Sequence, residues 1–288
     1  MSSPDDLLGA GTAMGAVTLR VADLDGMIRY YRDGVTLDLL AEEGGRAVLG
    51  RGATPVVLLE HAPGLRHATP GSAGLFHTAV LFDTEADLAA ALYSVATRYP
   101  ESYAGSADHL VSNAFYFTDP EGNGVELYWD RDRSLWQWSD GRIRMDSLRL
   151  DPNAFVAAHL TEHALQAAAA RPGSVGHVHL SVGDVPTAKR FYVDALGFAV
   201  TADLGSALFV SAGGYHHHMA MNVWQSRGAG LRAPALGLGL VHLDVATTDE
   251  LDAVARRMRD HGVGTRHDGR VLAFEDPWGN RIEAAVRA

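Results

Sequence analysis

The sequence predicts an α+β fold of four related modules, each about 50 to 60 residues long and each a strand, a helix and then several strands. Two observations predict it. GAVTLRVADLDGMIRYYRDGVTL, from Gly15 to Leu37, lies over GHVHLSVGDVPTAKRFYVDALGF, from Gly176 to Phe198, without a gap at a constant offset of 161. Two D-P-x-G-N turns, at Asp119 and Asp276, each lie between β-rich runs and close a second pair of similar segments.

Module one opens on alternating apolar positions, Val17, Leu19 and Val21, which read as a strand, and module three repeats them as Val178, Leu180 and Val182. Asp23 and Asp184 stand where a helix N-cap is wanted, and each helix ends in an aromatic pair, Tyr30-Tyr31 or Phe191-Tyr192. Module two opens on FHTAVLF (Phe76 to Phe82) and module four on VHLDVAT (Val241 to Thr247), an alignment that lays His77 over His242. Amphipathic helices follow, EADLAAALYSVATRY and DELDAVARRMRDHG, and then the strand-turn-strands YFTDPEGNGVELYW and AFEDPWGNRIEAAV. Pro fixes one turn residue, and Gly-Asn accepts positive φ.

The joints differ in character. His61 to Gly74 and Ser226 to Pro234 are short, Gly/Pro-rich connectors. Asp130 to Ser174 is long and contains Asp151-Pro152 followed by NAFVAAHLTEHALQAAAA, a capped helix. The expected division is 1–130 for modules one and two, 131–174 for a connector, and 175–288 for modules three and four.

Composition narrows the chemistry. With Lys+Arg 24, Asp+Glu 35, His 14 and no cysteine, the net charge is -11. A metal must therefore be held by nitrogen and oxygen, and thiol nucleophiles and disulfides are excluded. The acidic balance, without a basic cluster, opposes binding to nucleic acid and to anionic membrane. The N-terminal MSSPDDLLGAGTAMGA has no basic or apolar leader, and no apolar run reaches the roughly 20 residues a membrane helix needs, so a cytoplasmic protein is expected.

His109, Phe115-Tyr116, Asp119-Pro120-Glu121-Gly122 and Glu126 follow an ordered spacing, and GHVHL at Gly176 and SAGGYHHHMAMNVW at Ser211 accompany it. This pattern resembles the vicinal oxygen chelate superfamily, and more closely the two-domain extradiol catechol 2,3-dioxygenases. Ala107 alone departs from the extradiol signature. The resemblance covers about Gly15 to Val286 and implies four βαβββ modules, paired so that curved mixed sheets enclose a cavity.

The resemblance also implies a 2-His-1-carboxylate site for Fe(II), or Mn(II), that leaves room for substrate and O2. Transferred residue by residue, the first-strand positions are Ala16, His77, His177 and His242, and the last-strand acids are Glu126 and Glu283. Two triads are open: His77, Glu126 and His177 if module two faces module three, or His177, His242 and Glu283 if three faces four. Tyr116, His109 and the His-rich turn accompany the first, which is preferred. His217 aligns with the family's acid-base histidine, with Tyr116 and His109 hydrogen-bonding substrate oxygens. Which of His216, His217 and His218 points inward depends on register, and strand alternation would set His216 and His218 on the face opposite His217.

The implied activity is extradiol cleavage of a small aromatic diol with O2, in a possible homo-oligomer. A non-catalytic aromatic-binding or resistance protein and a glyoxalase-type isomerase are the alternatives. The second would use an acid on both paired modules, and HMAMNVW in module three offers none. His159-Leu160-Thr161-Glu162-His163 matches the H-x-x-E-H pattern on an expected helix, but in the connector. Trp129, Trp136 and Trp138 could line a substrate mouth or seal the connector. The glycine-bearing stretches at Gly9 and Gly237 lack the context of a phosphate loop.

Overall fold

The computed structural model describes residues 7–139, 142–166 and 171–287. The first six residues and the end of the expected connector helix, 167–170, lie outside the described residues. Module one runs β1 (Ala13–Val21), α1 (Leu24–Arg29), β2 (Asp38–Glu43), β3 (Arg46–Arg51) and β4 (Thr54–His61). Module two runs β5 (Gly74–Phe82), α2 (Glu85–Arg98), β6 (Tyr103–Asp108), β7 (Ser112–Thr118) and β8 (Gly124–Asp130). The connector holds a two-stranded hairpin, β9 (Trp138–Ser139) with β10 (Arg142–Ile143), then α3 (Pro152–His159) and α4 (Glu162–Gln166). Module three runs β11 (Gly173–Ser181), α5 (Val185–Lys189), β12 (Ala199–Asp203), β13 (Ala207–Ser211) and β14 (Met219–Asn222). Module four runs β15 (Gly237–Val245), α6 (Thr248–Asp260), β16 (Thr265–His267), β17 (Val271–Glu275) and β18 (Arg281–Val286).

Two eight-stranded mixed sheets result, ordered β16-β17-β18-β15-β1-β4-β3-β2 and β12-β13-β14-β11-β5-β8-β7-β6. Modules one and four thus share one sheet, and modules two and three share the other. In modules two, three and four the last strand pairs parallel to the first, while the rest of each module is antiparallel.

Local sequence explains the elements. The alternating residues Val17, Leu19, Val21, Val178, Leu180 and Val182 are all fully buried. Asp23, Asp184, Thr84 and Thr247 cap their helices, each side chain accepting a backbone N–H inside the first turn. α6 buries Leu251, Val254, Ala255 and Met258, one stripe at helical spacing.

The periodicity did not reveal how α1 and α5 end. Each widens into a π turn at its aromatic pair, over Tyr30–Gly34 and Arg190–Ala195. Both aromatics of each pair are buried, and Tyr31 and Tyr192 are the ones that reach an aspartate.

By compactness the chain forms two units, Thr18–Arg66 with His77–Gly176, and His177–Ala288 with Met1–Val17 and His67–Phe76. In the first, the Tyr31 hydroxyl donates to Asp119 Oδ2 at 3.0 Å, and Glu121 Oε1 accepts from the backbone of Ala22 and Asp23 at 2.8 and 2.7 Å. The buried Arg51 donates to Thr36 and to the Pro172 carbonyl beside the Phe82 ring, and burial lowers its pKa to about 10. In the second, Tyr192 donates to Asp276 Oδ2 at 2.9 Å, repeating the first latch. Here Trp278, standing where Glu121 stands in the other turn, packs on Gly183.

The turns differ from expectation in one respect. Gly122 and Gly279 take positive φ, 90° and 79°, but Asn123 and Asn280 do not. Their amides instead donate to Asp119 and Asp276 at 2.9 and 2.8 Å, satisfying a buried carboxylate.

The connector also corrects the sequence reading. Its helix breaks at Leu160, whose backbone is extended, so His159 ends α3 while His163 lies in α4. The H-x-x-E-H residues therefore do not share one helical face, and His159 Nδ1 lies 3.5 Å from Glu85 Oε2. Trp136 is buried with its Nε1–H donating to the Arg131 carbonyl, whereas Trp138 is exposed. Among the described residues, no helix is long and apolar enough to cross a membrane.

Candidate metal centre

The first strand of module two and the last strand of the same module lie side by side, with Ala79 opposite Glu126 and His77 opposite Gly124. His77 and Ala79 share a face because side chains alternate along a strand, so the Glu126 carboxylate reaches back to the imidazole. His77 Nε2 lies 3.0 Å from Glu126 Oε2. His177, near the middle of β11, completes the group: one donor atom from each of His77, Glu126 and His177 lies within 4.8 Å of the others. All three are buried, at 6%, 2% and 2% exposure.

The donor set fits a metal ion. Two donors each about 2.1 Å from one ion and at a right angle lie about 3.0 Å apart, the separation seen between His77 and Glu126. A carboxylate this deeply buried needs its charge balanced, which a divalent cation does. Two imidazoles and one carboxylate suit a first-row ion with open positions, Fe(II) or Mn(II).

The rival triad does not assemble. Among the described residues, the group whose donors converge is His77, Glu126 and His177, and neither His242 nor Glu283 belongs to it. Register explains why. Gly74 and Gly237, both at positive φ, open β5 and β15, and Thr84 and Thr247 cap the helices that follow, all at an offset of 163. His77 therefore corresponds to Leu240, and His242, opposite Glu283, corresponds to Ala79. The sequence alignment of His242 with His77 was two residues out. His242 is half-buried, and burial lowers its pKa against the opposing pull of Glu283 and Asp244.

The same comparison places Ala220 of β14, opposite His179, where module two has Glu126. No fourth ligand faces the group from that position, as the HMAMNVW segment led one to expect.

The histidine-rich turn lies between β13 and β14. Gly213 and Gly214 take φ of 60° and 69°, a reversal that side chains resist, and a Cβ at Gly213 would also press on Ala10. Ser211 Oγ donates to the Tyr215 carbonyl at 2.6 Å, closing the turn. Because residues 215–218 are not extended strand, alternation does not apply to them. His217 packs on His177 with ring centroids 4.1 Å apart, and His216 lies beside both, 4.6 Å from His217 and 5.9 Å from His177. His218 is the one that departs: its Nδ1 accepts the Ala212 N–H at 3.2 Å, and its ring stacks on Phe198.

Tyr116 is the cross-strand partner of Glu126, and its ring centroid lies 5.7 Å from that of His77. Burial, and then the Glu126 carboxylate, hold its phenol well above the usual range, so it keeps its proton. His109 Nε2 lies 2.7 Å from the Tyr116 hydroxyl, and His109 Nδ1 lies 2.8 Å from the Asp146 carbonyl. A carbonyl only accepts, so Nδ1 donates to it, and the Tyr116 hydroxyl is shared between His109 Nε2 and the Glu126 carboxylate. Asp108, just before His109, is gripped by Arg131 at 2.7 and 2.9 Å. Leu110, just after it, is held at φ 69° with its N–H on Asp108.

A family model described as the glyoxalase/bleomycin resistance protein/dioxygenase superfamily matches residues 13–127 and 174–284. A catechol-2,3-dioxygenase of Bacillus subtilis (strain 168) is 34% identical over 275 residues, covering 92% of this chain and 94% of that protein. The chain belongs to the glyoxalase/bleomycin resistance protein/dioxygenase superfamily, and within it to the catechol 2,3-dioxygenase type. Biphenyl-2,3-diol 1,2-dioxygenase 2 of Rhodococcus globerulus is 34% identical over 107 residues, 37% of this chain and 51% of that protein. The superfamily fold is shared with glyoxalase I of Zea mays, at a TM-score of 0.57 and 17% identity over 96% of this chain and 92% of that one.

Sequence reasoning missed His179 and the Tyr–Asp latches as parts of the surroundings. His179 follows His177 on the same strand face, with its Nε2 3.0 Å from the Asn222 amide nitrogen. The spacing H-V-H on one strand was the available signal.

Proposed function

We propose that this chain is an Fe(II)-dependent extradiol dioxygenase that opens a catechol-type aromatic with O2. One observation carries the reading: two imidazoles and one carboxylate converge in a chain that matches a catechol-2,3-dioxygenase over 92% of its length. His77, Glu126 and His177 would hold the ion and leave positions for two adjacent diol oxygens and for O2. A bound ferrous ion supplies Lewis acidity toward the diol and an electron path between the diol and O2.

The remaining work falls to side chains. His217, packed on His177, takes the proton of a diol hydroxyl and returns it as the ring opens. Tyr116, protonated and beside His77 and Glu126, positions a substrate oxygen, and His109 orients its hydroxyl. Both atoms of O2 end in the product, added across the carbon–carbon bond adjacent to the diol.

The test is O2 uptake by anaerobically prepared, iron-loaded protein given a panel of catechols, with formation of a yellow ring-opened product. The expected result is uptake matched to product. No uptake with any catechol overturns the reading.

A further inference from the structure

Arg51 ends β3 in module one, from which no residue joins the metal group, and ring cleavage as described assigns it no task. It is fully buried, at 0% exposure, and its Nη2 has no hydrogen-bond partner. A buried cation is costly, and an apolar side chain of similar length would fill the space at less cost. What the guanidinium adds is direction. Nε donates to the Pro172 carbonyl at 3.3 Å, and Nη1 donates to the Thr36 carbonyl and hydroxyl at 3.2 and 3.0 Å. Its Cζ lies 4.7 Å from the centre of the Phe82 ring.

Two of these partners stand at the ends of the ligand-bearing strands. Phe82 is the last residue of β5, which carries His77, and Pro172 immediately precedes β11, which carries His177. The two strands are neighbours in their sheet, and a Cβ at Gly173 would press on the Arg51 stem and, at 3.2 Å, on the Leu81 carbonyl. The end of β5, the start of β11 and Arg51 are thus packed to contact, with a glycine as the residue that permits it. Thr36, the third partner, is held at φ 64°, a left-handed conformation that a β-branched residue resists. Such a residue persists where its surroundings over-determine it, and Arg51 binds both its oxygens. We propose that Arg51 is a positioning residue for the metal centre: by tying the end of β5 to the start of β11 it sets the spacing of His77 and His177. This rests on the reading of His77, Glu126 and His177 as metal ligands. Arg51 acts through the backbone of the two strands and takes no part in the chemistry.

The test measures metal binding and folding separately on the full chain. Co(II) titration of the metal-free protein gives the affinity, the visible absorption bands report the geometry of the ligands, and urea unfolding gives the stability. Arg51→Met keeps the stem and removes the fork, so it should bind Co(II) roughly 10-fold more weakly than the native protein, with shifted bands. Arg51→Lys keeps the charge without the planar fork, and should fold, show a smaller loss and shift the bands in the same sense. Tyr192→Phe, destabilised at a latch remote in sequence from both strand ends, should keep the native bands and an affinity within about twofold, because lost stability alone does not move the ligands. Native affinity and native bands in both Arg51 variants overturn the proposal. Tighter binding does so too, since that is what removing a cation causes if only its charge reaches the metal. An equal loss of affinity in Tyr192→Phe and Arg51→Met also contradicts it. If Arg51→Met does not fold, the Lys variant decides. Native protein that binds no Co(II) overturns the metal reading and the proposal together, whereas native binding without O2 uptake overturns ring cleavage alone.

Discussion

Gly176 stands where a Cβ would overlap the hydroxyl of Tyr128, a fully buried residue of β8. Gly176 precedes the ligand His177, and Tyr128 lies two residues beyond the ligand Glu126. The missing side chain therefore lets two ligand-bearing strands adopt their places. Gly176→Ala should destabilise the fold by about 1–3 kcal/mol, as overpacking does, and weaken metal binding. Adding Tyr128→Phe should recover part of the stability. Urea unfolding of the native protein and the two variants checks the stabilities, and metal titration of the same proteins checks the binding.

The Tyr116 hydroxyl lies 2.7 Å from His109 Nε2 and hydrogen-bonds Glu126, with its ring 5.7 Å from that of His77. Tyr116→Phe should retain the bound metal and lower kcat about 10- to 100-fold, the range for groups that orient a metal site's chemistry. Metal analysis and steady-state O2 uptake on the same preparation separate the two effects.

Asp108 and Arg131 hold the strand that presents His109. The hydrogen bond from Arg131 lowers the Asp108 pKa against the effect of burial. Because the folded value lies below the unfolded one of about 3.9, this pair stabilises the fold above that pH and ceases to do so as pH falls through the folded value. Asp108→Asn should thus lower the urea midpoint at pH 7 while leaving it nearly unchanged at the acid end. Salt should shrink the difference, since both groups are partly exposed.

Tyr31 and Tyr192 each donate to a buried aspartate, Asp119 and Asp276. Removing either hydroxyl takes a donor from a carboxylate that water reaches poorly, at a cost of about 1–3 kcal/mol. The two latches share no partner, so the losses in Tyr31→Phe and Tyr192→Phe should add in the double variant. Chemical denaturation measures all three.

Much of this was legible in the sequence because the signals were repeated or spaced. The offset of 161 between Gly15 and Gly176 announced the modules, and the run from His109 to Glu126 pointed to the strand that carries the carboxylate. What failed needed three dimensions. His242 looked equivalent to His77 because both follow an apolar residue near the start of a strand, whereas the glycines that open β5 and β15, the caps that follow and the pairing of β15 with β18 show the two-residue difference. The three histidines at 216–218 were assigned to alternating faces, whereas two left-handed glycines turn the chain there and bring His216 and His217 together. The π turns at Tyr30–Gly34 and Arg190–Ala195 are single wide turns at a helix end, too short for a 3.6-residue period to register.

The central claim is that His77, Glu126 and His177 hold the metal at which an aromatic diol is opened. Iron content and catechol-dependent O2 uptake, measured together on native protein, Glu126→Ala and Glu283→Ala, test it most directly. The account predicts about one iron per chain and uptake in the native protein and in Glu283→Ala, with both falling below about a tenth in Glu126→Ala. Iron and activity that survive Glu126→Ala and vanish in Glu283→Ala would contradict it.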